Sequence, residues 1–131
     1  MSLTNDLSAI RAHFIAEWDD ETYQTVFANG QPETLDPDRP YVRFGVDHFD
    51  GQIVGGNKLR RDDGIIWLQV FVPNGDGTMT AYEIAEIFKN IFKDWSVGDL
   101  RTGNYFSTPV HGSNDYFQLK VGYYWQSLNH D

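Results

Sequence analysis

The chain has 131 residues, 40% of them hydrophobic and 15% aromatic, enough for one domain (residues 1–131) with a sizeable core and too few for two. Its 4 Trp, 7 Tyr and 9 Phe exclude a disordered chain, because large apolar side chains repay the entropy of folding. A formal charge of -9, from 19 acidic and 10 basic residues, argues against direct nucleic-acid binding and anionic membranes, and the absence of Cys excludes disulfides, thiolate zinc sites and thiol catalysis.

From Leu3 to Trp18, Leu3, Leu7, Ile10, Phe14, Ala16 and Trp18 recur at spacings of mostly three and four, which predicts a helix capped by Ser2 or Thr4. Asp6, Arg11, His13 and Glu17 interrupt this segment, so it lacks the basic start and apolar block of a secretory signal. No window approaches about 18 uninterrupted apolar residues, so no membrane span is expected. A soluble protein made in a cytoplasm is the expected reading. A short strand is predicted over Tyr23–Phe27, and "ANGQPETLDPDRP" reads as an exposed loop because Asn-Gly and three prolines punctuate it.

"YVRFGVDHF", Tyr41–Phe49, alternates with the period of a strand. "DGQIVGGNKLRRDDG" is expected to be a second loop. The run Ile65–Val72, broken only by Gln69, predicts a central strand covered on both faces. "FVPNGDGT" then turns the chain, and "MTAYEIAEIFKNIFKDW" places Ala81, Ile84, Ala85, Ile87, Phe88, Ile91, Phe92 and Trp95 at helical spacing, with Glu83, Glu86, Lys89, Asn90 and Lys93 wet. A strand around Val97–Phe106 and another over Tyr116–Gln126 follow; in the latter Phe117, Leu119, Val121, Tyr123 and Trp125 share one face. The order implies an α+β domain: an antiparallel or mixed β-sheet with two α-helices packed on one face.

The motifs point away from chemistry. "PNGDGT" lacks the Lys that a phosphate loop needs to reach phosphates, and Met79 and Ala85 stand where a calcium loop needs Gly and Glu. Turn geometry remains: Pro73 ends the strand, Gly75 and Gly77 permit positive φ, and Thr80 with Glu83 suits a capping box. His13 and Glu17 have helical spacing, but two ligands do not make a zinc site, and a surface pair is the expected reading. His111 and Asp115 bracket a turn that would not align them. No Gly-x-Ser-x-Gly nucleophile occurs. "LRRDDG" is either a polar contact surface or an exposed turn before the central strand.

Taken together, "LSAIRAHFIAEW", "RRDDGIIWLQVFVPNGDGTMTAYEIAEIFKNIFK" and "DYFQLKVGYYW" resemble the phage tail terminator-like family, a bacteriophage-related domain of small proteins of tailed phages and prophages. The resemblance rests on Arg60 or Arg61 before Gly64, the strand ending Phe71-Val72-Pro73, the Gly75-x-Gly77-Thr78 turn, and Ala81, Ala85, Ile87 and Phe88 of the helix. It covers most of the chain, the loops Gly30–Pro40 and Gly51–Lys58 apart. It implies a structural virion protein of the tail or neck with no catalytic, metal or cofactor site. Such a subunit forms a ring, commonly of six copies, that caps the tail tube and offers a surface to the head–tail connector. Ring contacts are expected from the loops Gln31–Arg39 and Gly51–Asp63, with Arg60, Arg61, Asp62 and Asp63 as polar interface pairs. The acidic balance suits a lumen along which DNA slides without sticking. The rival from another class is a small cone-shaped α+β ligand-binding domain or enzyme, with Trp67, Tyr123, Trp125, His48 and Asp47 lining its pocket. Another head–tail joining or tail-completion protein is the closer rival.

Overall fold

The computed structural model describes residues 2–28, 35–49, 51–56, 59–110 and 115–130. Its elements run α1 (Leu3–Glu17), β1 (Gln24–Phe27), β2 (Tyr41–His48), β3 (Gln52–Ile53), β4 (Leu59–Pro73), α2 (Thr78–Phe92), β5 (Ser96–Val97), β6 (Leu100–Val110) and β7 (Tyr116–His130). The strands form one sheet in the order β1-β2-β4-β7-β6-β5, with β3 continuing β2's edge of β4. Among the described strands only β1 and β2 run parallel. The expected α+β architecture holds.

β4 and β7 pair without interruption from Leu59↔His130 to Pro73↔Tyr116. This register puts Ile66, Leu68, Val70 and Val72 on one face together with Leu119, Val121, Tyr123 and Trp125, and both helices bury their apolar stripes there. Ile10, Phe14 and Trp18 come from α1, and Ala81, Ile84, Ala85, Phe88 and Phe92 from α2. Phe14 stacks on Phe44 of β2 with ring centroids 3.9 Å apart. Ser2 caps α1, its Oγ accepting from the Asn5 N–H at 3.2 Å.

Several expectations need correction. β4 begins at Leu59 rather than Ile65, because Leu59 to Asp63 pair with β7 and Arg60 and Arg61 also pair with β3; the supposed loop through Asp63 is largely sheet. The central strand is covered by helices on one face only: Ile65, Trp67 and Gln69 are half-buried under side chains of neighbouring strands, with Tyr41 stacked on Phe71. α2 starts at Thr78 after a single 3₁₀ turn, Asn74–Asp76, so Thr80 lies inside the helix and the Thr80–Glu83 capping box does not form. Gly77 has φ +79°, whereas Gly75 sits in the 3₁₀ turn without positive φ. Ile87 is 39% exposed, and Ala16 is exposed too. β6 is shifted to Leu100–Val110, and β7 runs on to His130. Residues 29–34, at the start of one expected contact loop, and His111 lie outside the described residues. The remainder of that loop is tied to β1, for Gln24 Oε1 accepts from the Asp36 N–H at 2.7 Å.

Large rings lie over glycines on both faces. A Cβ at Gly45 would meet Trp67 at 2.2 Å, while one at Gly64 would meet the Asp47 carbonyl oxygen at 2.0 Å and buried Trp125 at 2.6 Å. The ring covers the strand where the side chain is missing. Because a backbone oxygen and a core indole cannot both retreat, Gly64→Ala is expected to destabilise the protein by about 1–3 kcal/mol. Gly75→Ala, where an added Cβ meets nothing within 4 Å, is expected to be neutral or slightly stabilising. Urea denaturation of both variants checks the contrast; equal stabilities would refute the packing assignment.

Candidate functional site

Alternation along β4 divides the "RRDD" segment between the faces of the sheet. Arg60 and Asp62 share the core side with Asn129 and Ser127, their partners on β7, whereas Arg61 and Asp63 lie on the opposite face, paired with Leu128 and Gln126. Asp62 is only 1% exposed, and a buried carboxylate is tolerated only when donors satisfy it. It accepts from Asn129 Nδ2 at 2.7 Å and His48 Nε2 at 2.9 Å, and Arg60 Nε lies 3.2 Å from its Oδ1. Burial pushes its pKa up, but the hydrogen bonds from Asn129 and His48 and the charge of Arg60 outweigh this and hold it below the ordinary value.

The same Asn129 amide donates to Asp6 Oδ2 of α1 at 3.0 Å. One side-chain NH₂ group therefore bridges two buried carboxylates, Asp6 of α1 and Asp62 of the central strand β4. Fully buried Ser127 stands beside Asp62 across the ladder. Among the described residues, Asp6 Oδ1, Asn129 Oδ1 and Ser127 Oγ have no hydrogen-bond partner.

This cluster holds structure together more readily than it performs chemistry. A general base needs access to substrate and a pKa near the working pH, yet Asp62 is sealed and its pKa is lowered. No group of three or more His, Asp or Glu that could hold a metal occurs among the described residues. The depression outside it, lined by Leu3, His48, Gly51, Arg60 and Asp62, measures about 200 Å³. The rival pocket does not assemble: Trp67 and Asp47 are on the outer face, while His48, Tyr123 and Trp125 are on the core face. Tyr123 is occupied in donating to the Lys89 carbonyl oxygen at 2.7 Å. His13 does not form the expected surface pair with Glu17; its ring stacks on Trp95 at 4.8 Å and its Nε2 lies 2.8 Å from the Ile91 carbonyl oxygen, fastening α1 to α2.

The outer face is more open. Asp63 pairs with Arg61 at 3.2 Å. Arg101 faces Gln126, and with the amide oriented to present its oxygen, Nε donates at 2.9 Å. Phe49 and Tyr124, 48% and 50% exposed, join Asp63, Arg101 and Gln126 around an open groove of about 620 Å³. Lys120 lies over the Trp67 ring at 5.1 Å.

A protein of solved structure is similar to this chain over 99% of both chains, with a TM-score of 0.66 and 19% sequence identity. That likeness shows a shared fold. No family model matches the chain, and no curated protein matches it in sequence. No helix among the described residues is long and apolar enough to cross a membrane.

Asp6, Ser127 and Asn129 carry no motif that singles them out in the sequence, although its periodic patterns mark their positions. Asp6 falls on the stripe of Leu3, Leu7 and Ile10, and continuing the alternation of Phe117 to Trp125 by two steps reaches Ser127 and Asn129. Asp62→Asn turns an acceptor into a donor against Asn129 and is expected to cost about 1–3 kcal/mol at neutral pH. Since the folded pKa of Asp62 is depressed, its contribution is present above the unfolded value of about 4 and fades as pH falls through the folded value. Urea titrations from neutral to acid pH should show the variant's deficit shrinking below about pH 4; a constant deficit would contradict the ionised assignment.

Proposed function

We propose that this chain is a structural subunit of the phage tail terminator type, which assembles into a ring, caps the tail tube and joins the tail to the head connector. The observation that carries the reading is the disposition of polar groups. The desolvated carboxylates are engaged within the chain, while one face of the sheet, with exposed aromatic and charged side chains, is covered by no helix among the described residues. Such a division suits recognition of other subunits, and capping a tube needs no catalytic residue. Its location is accordingly the tail or neck of the virion, its partners are further copies of itself, the tube protein and the connector, and it requires no cofactor. Stopping tube growth asks that one ring face match the tube end and the other refuse a further tube subunit.

Of the four residues expected at interfaces, Arg61 and Asp63 lie on the outer face and suit that role; Arg60 and Asp62 belong to the internal network. Another head–tail joining component would use the same kind of surface against a different ring, so the choice of partner separates the two readings. Native mass spectrometry of the purified chain, with and without tail tube subunits, provides the test. A discrete ring bound at tube ends is expected, and Arg61→Glu should weaken it while leaving the fold intact, since an exposed ion pair contributes only about 0–1 kcal/mol to stability. Failure to bind any tube end overturns the terminator assignment, and binding to the connector alone replaces it with a joining protein.

A further inference from the structure

The two sides of the molecule differ in charge despite its overall acidity. On the outer face of the sheet, the strand registers bring together the basic residues Arg43, Arg61, Arg101 and Lys120 with the acidic residues Asp47 and Asp63, a net +2 in a chain of net charge -9. Arg43 and Lys120 flank Gln69 in one row across three strands. On the opposite side, α2 buries one stripe and presents another. Met79, Tyr82, Glu83, Glu86 and Ile87 follow the spacing of a single helix face over its first turns, while the basic residues Lys89, held over the Tyr105 ring at 5.1 Å, and Lys93 stand at its far end. All five stripe residues are exposed, Met79 by 68% and Tyr82 by 44%. Large apolar side chains with two carboxylates among them are unusual for a merely solvated surface.

We propose that this exposed stripe of α2 docks on the outer sheet face of a second copy of the same chain. The signs of the charges select the geometry. Sheet against sheet would oppose two net-positive faces, and α2 against α2 centred on the apolar stripe would oppose Glu83 and Glu86 with their own copies, so both two-fold arrangements are disfavoured. Helix against sheet pairs opposite signs and apolar with apolar, through Met79, Tyr82 and Ile87 on one copy and Trp67 and Tyr124 on the other. Because the two surfaces lie on opposite sides of the molecule, the contact is head-to-tail, and such contacts close into rings when the rotation between copies permits. The acidic turn after α1 is the weaker candidate for the acidic partner, because Asp19 is committed to holding the Glu21 and Thr22 N–H groups of that turn.

This inference rests on the ring reading and names the surfaces that make the ring. Two variants test it: Glu83→Lys with Glu86→Lys on the helix, and Arg43→Glu with Lys120→Glu on the sheet. Circular dichroism verifies that each folds; if Lys120→Glu disturbs Trp67, Arg43→Glu with Arg101→Glu takes its place. Native mass spectrometry is expected to show rings for the wild-type chain, loss of at least tenfold in ring population for either variant alone, and recovery in an equimolar mixture with the two variants alternating. Rings from either variant alone, or no recovery on mixing folded variants, would overturn the docking surfaces while leaving the ring standing. Absence of rings from the wild-type chain, alone and on tube ends, would remove the ring reading itself.

Discussion

Everything in this fold depends on the register between β4 and β7. The side-chain period of a strand is two, so displacing one strand by a single residue would carry Ile66, Leu68 and Val70 to solvent and bring Arg61, Asp63 and Gln69 inward. Fifteen residues of β4 paired in unbroken succession make that slip costly over their whole length. The same register decides which side the helices cover and which stays bare. Covered face and bare face are thus two readings of one alignment.

The polar clamp extends this alignment beyond the apolar core. Past Gly64 and Trp125 the core-side positions become Asp62, Ser127, Arg60 and Asn129, and the helices supply Asp6 in place of a hydrophobic partner. A buried carboxylate pair without a donor between them would be strongly unfavourable, so Asn129 in effect determines whether the start of α1 can lie against the end of β7. His13 against Ile91 and Trp95 does the corresponding work between the helices.

Periodicity made much of this visible in the sequence. The stripes of Ile10 and Phe14, of Ala81 to Phe92, and the alternation of Phe117 to Trp125 foretell the helices and the covered face, because burial of apolar side chains fixes them locally. The first five residues of β4 look like loop in the sequence, because Arg-Arg-Asp-Asp has no apolar alternation. Their strand conformation comes from partners distant in sequence: Asn129, His48 and the ladder to β7. Ile87 and Ala16 misled for a related reason, since helical spacing reports a stripe but not where that stripe stops. The separation of Trp67 from Trp125 onto opposite faces was implicit in strand parity once the register was known, and composition alone could not supply that register.

The free side of β6 has a further consequence. β5 pairs only with Leu100 and Arg101, the register is broken between Thr102 and Tyr105, and Pro109 contributes no N–H to the strand. An incoming strand would therefore meet an irregular row of donors and acceptors, a poor template for extending the sheet from one molecule into the next. What this edge of the molecule presents to its surroundings is side chains, whose shape and charge are particular to each position. Such a surface can be altered one residue at a time, whereas a regular row of backbone donors and acceptors would be indifferent to sequence.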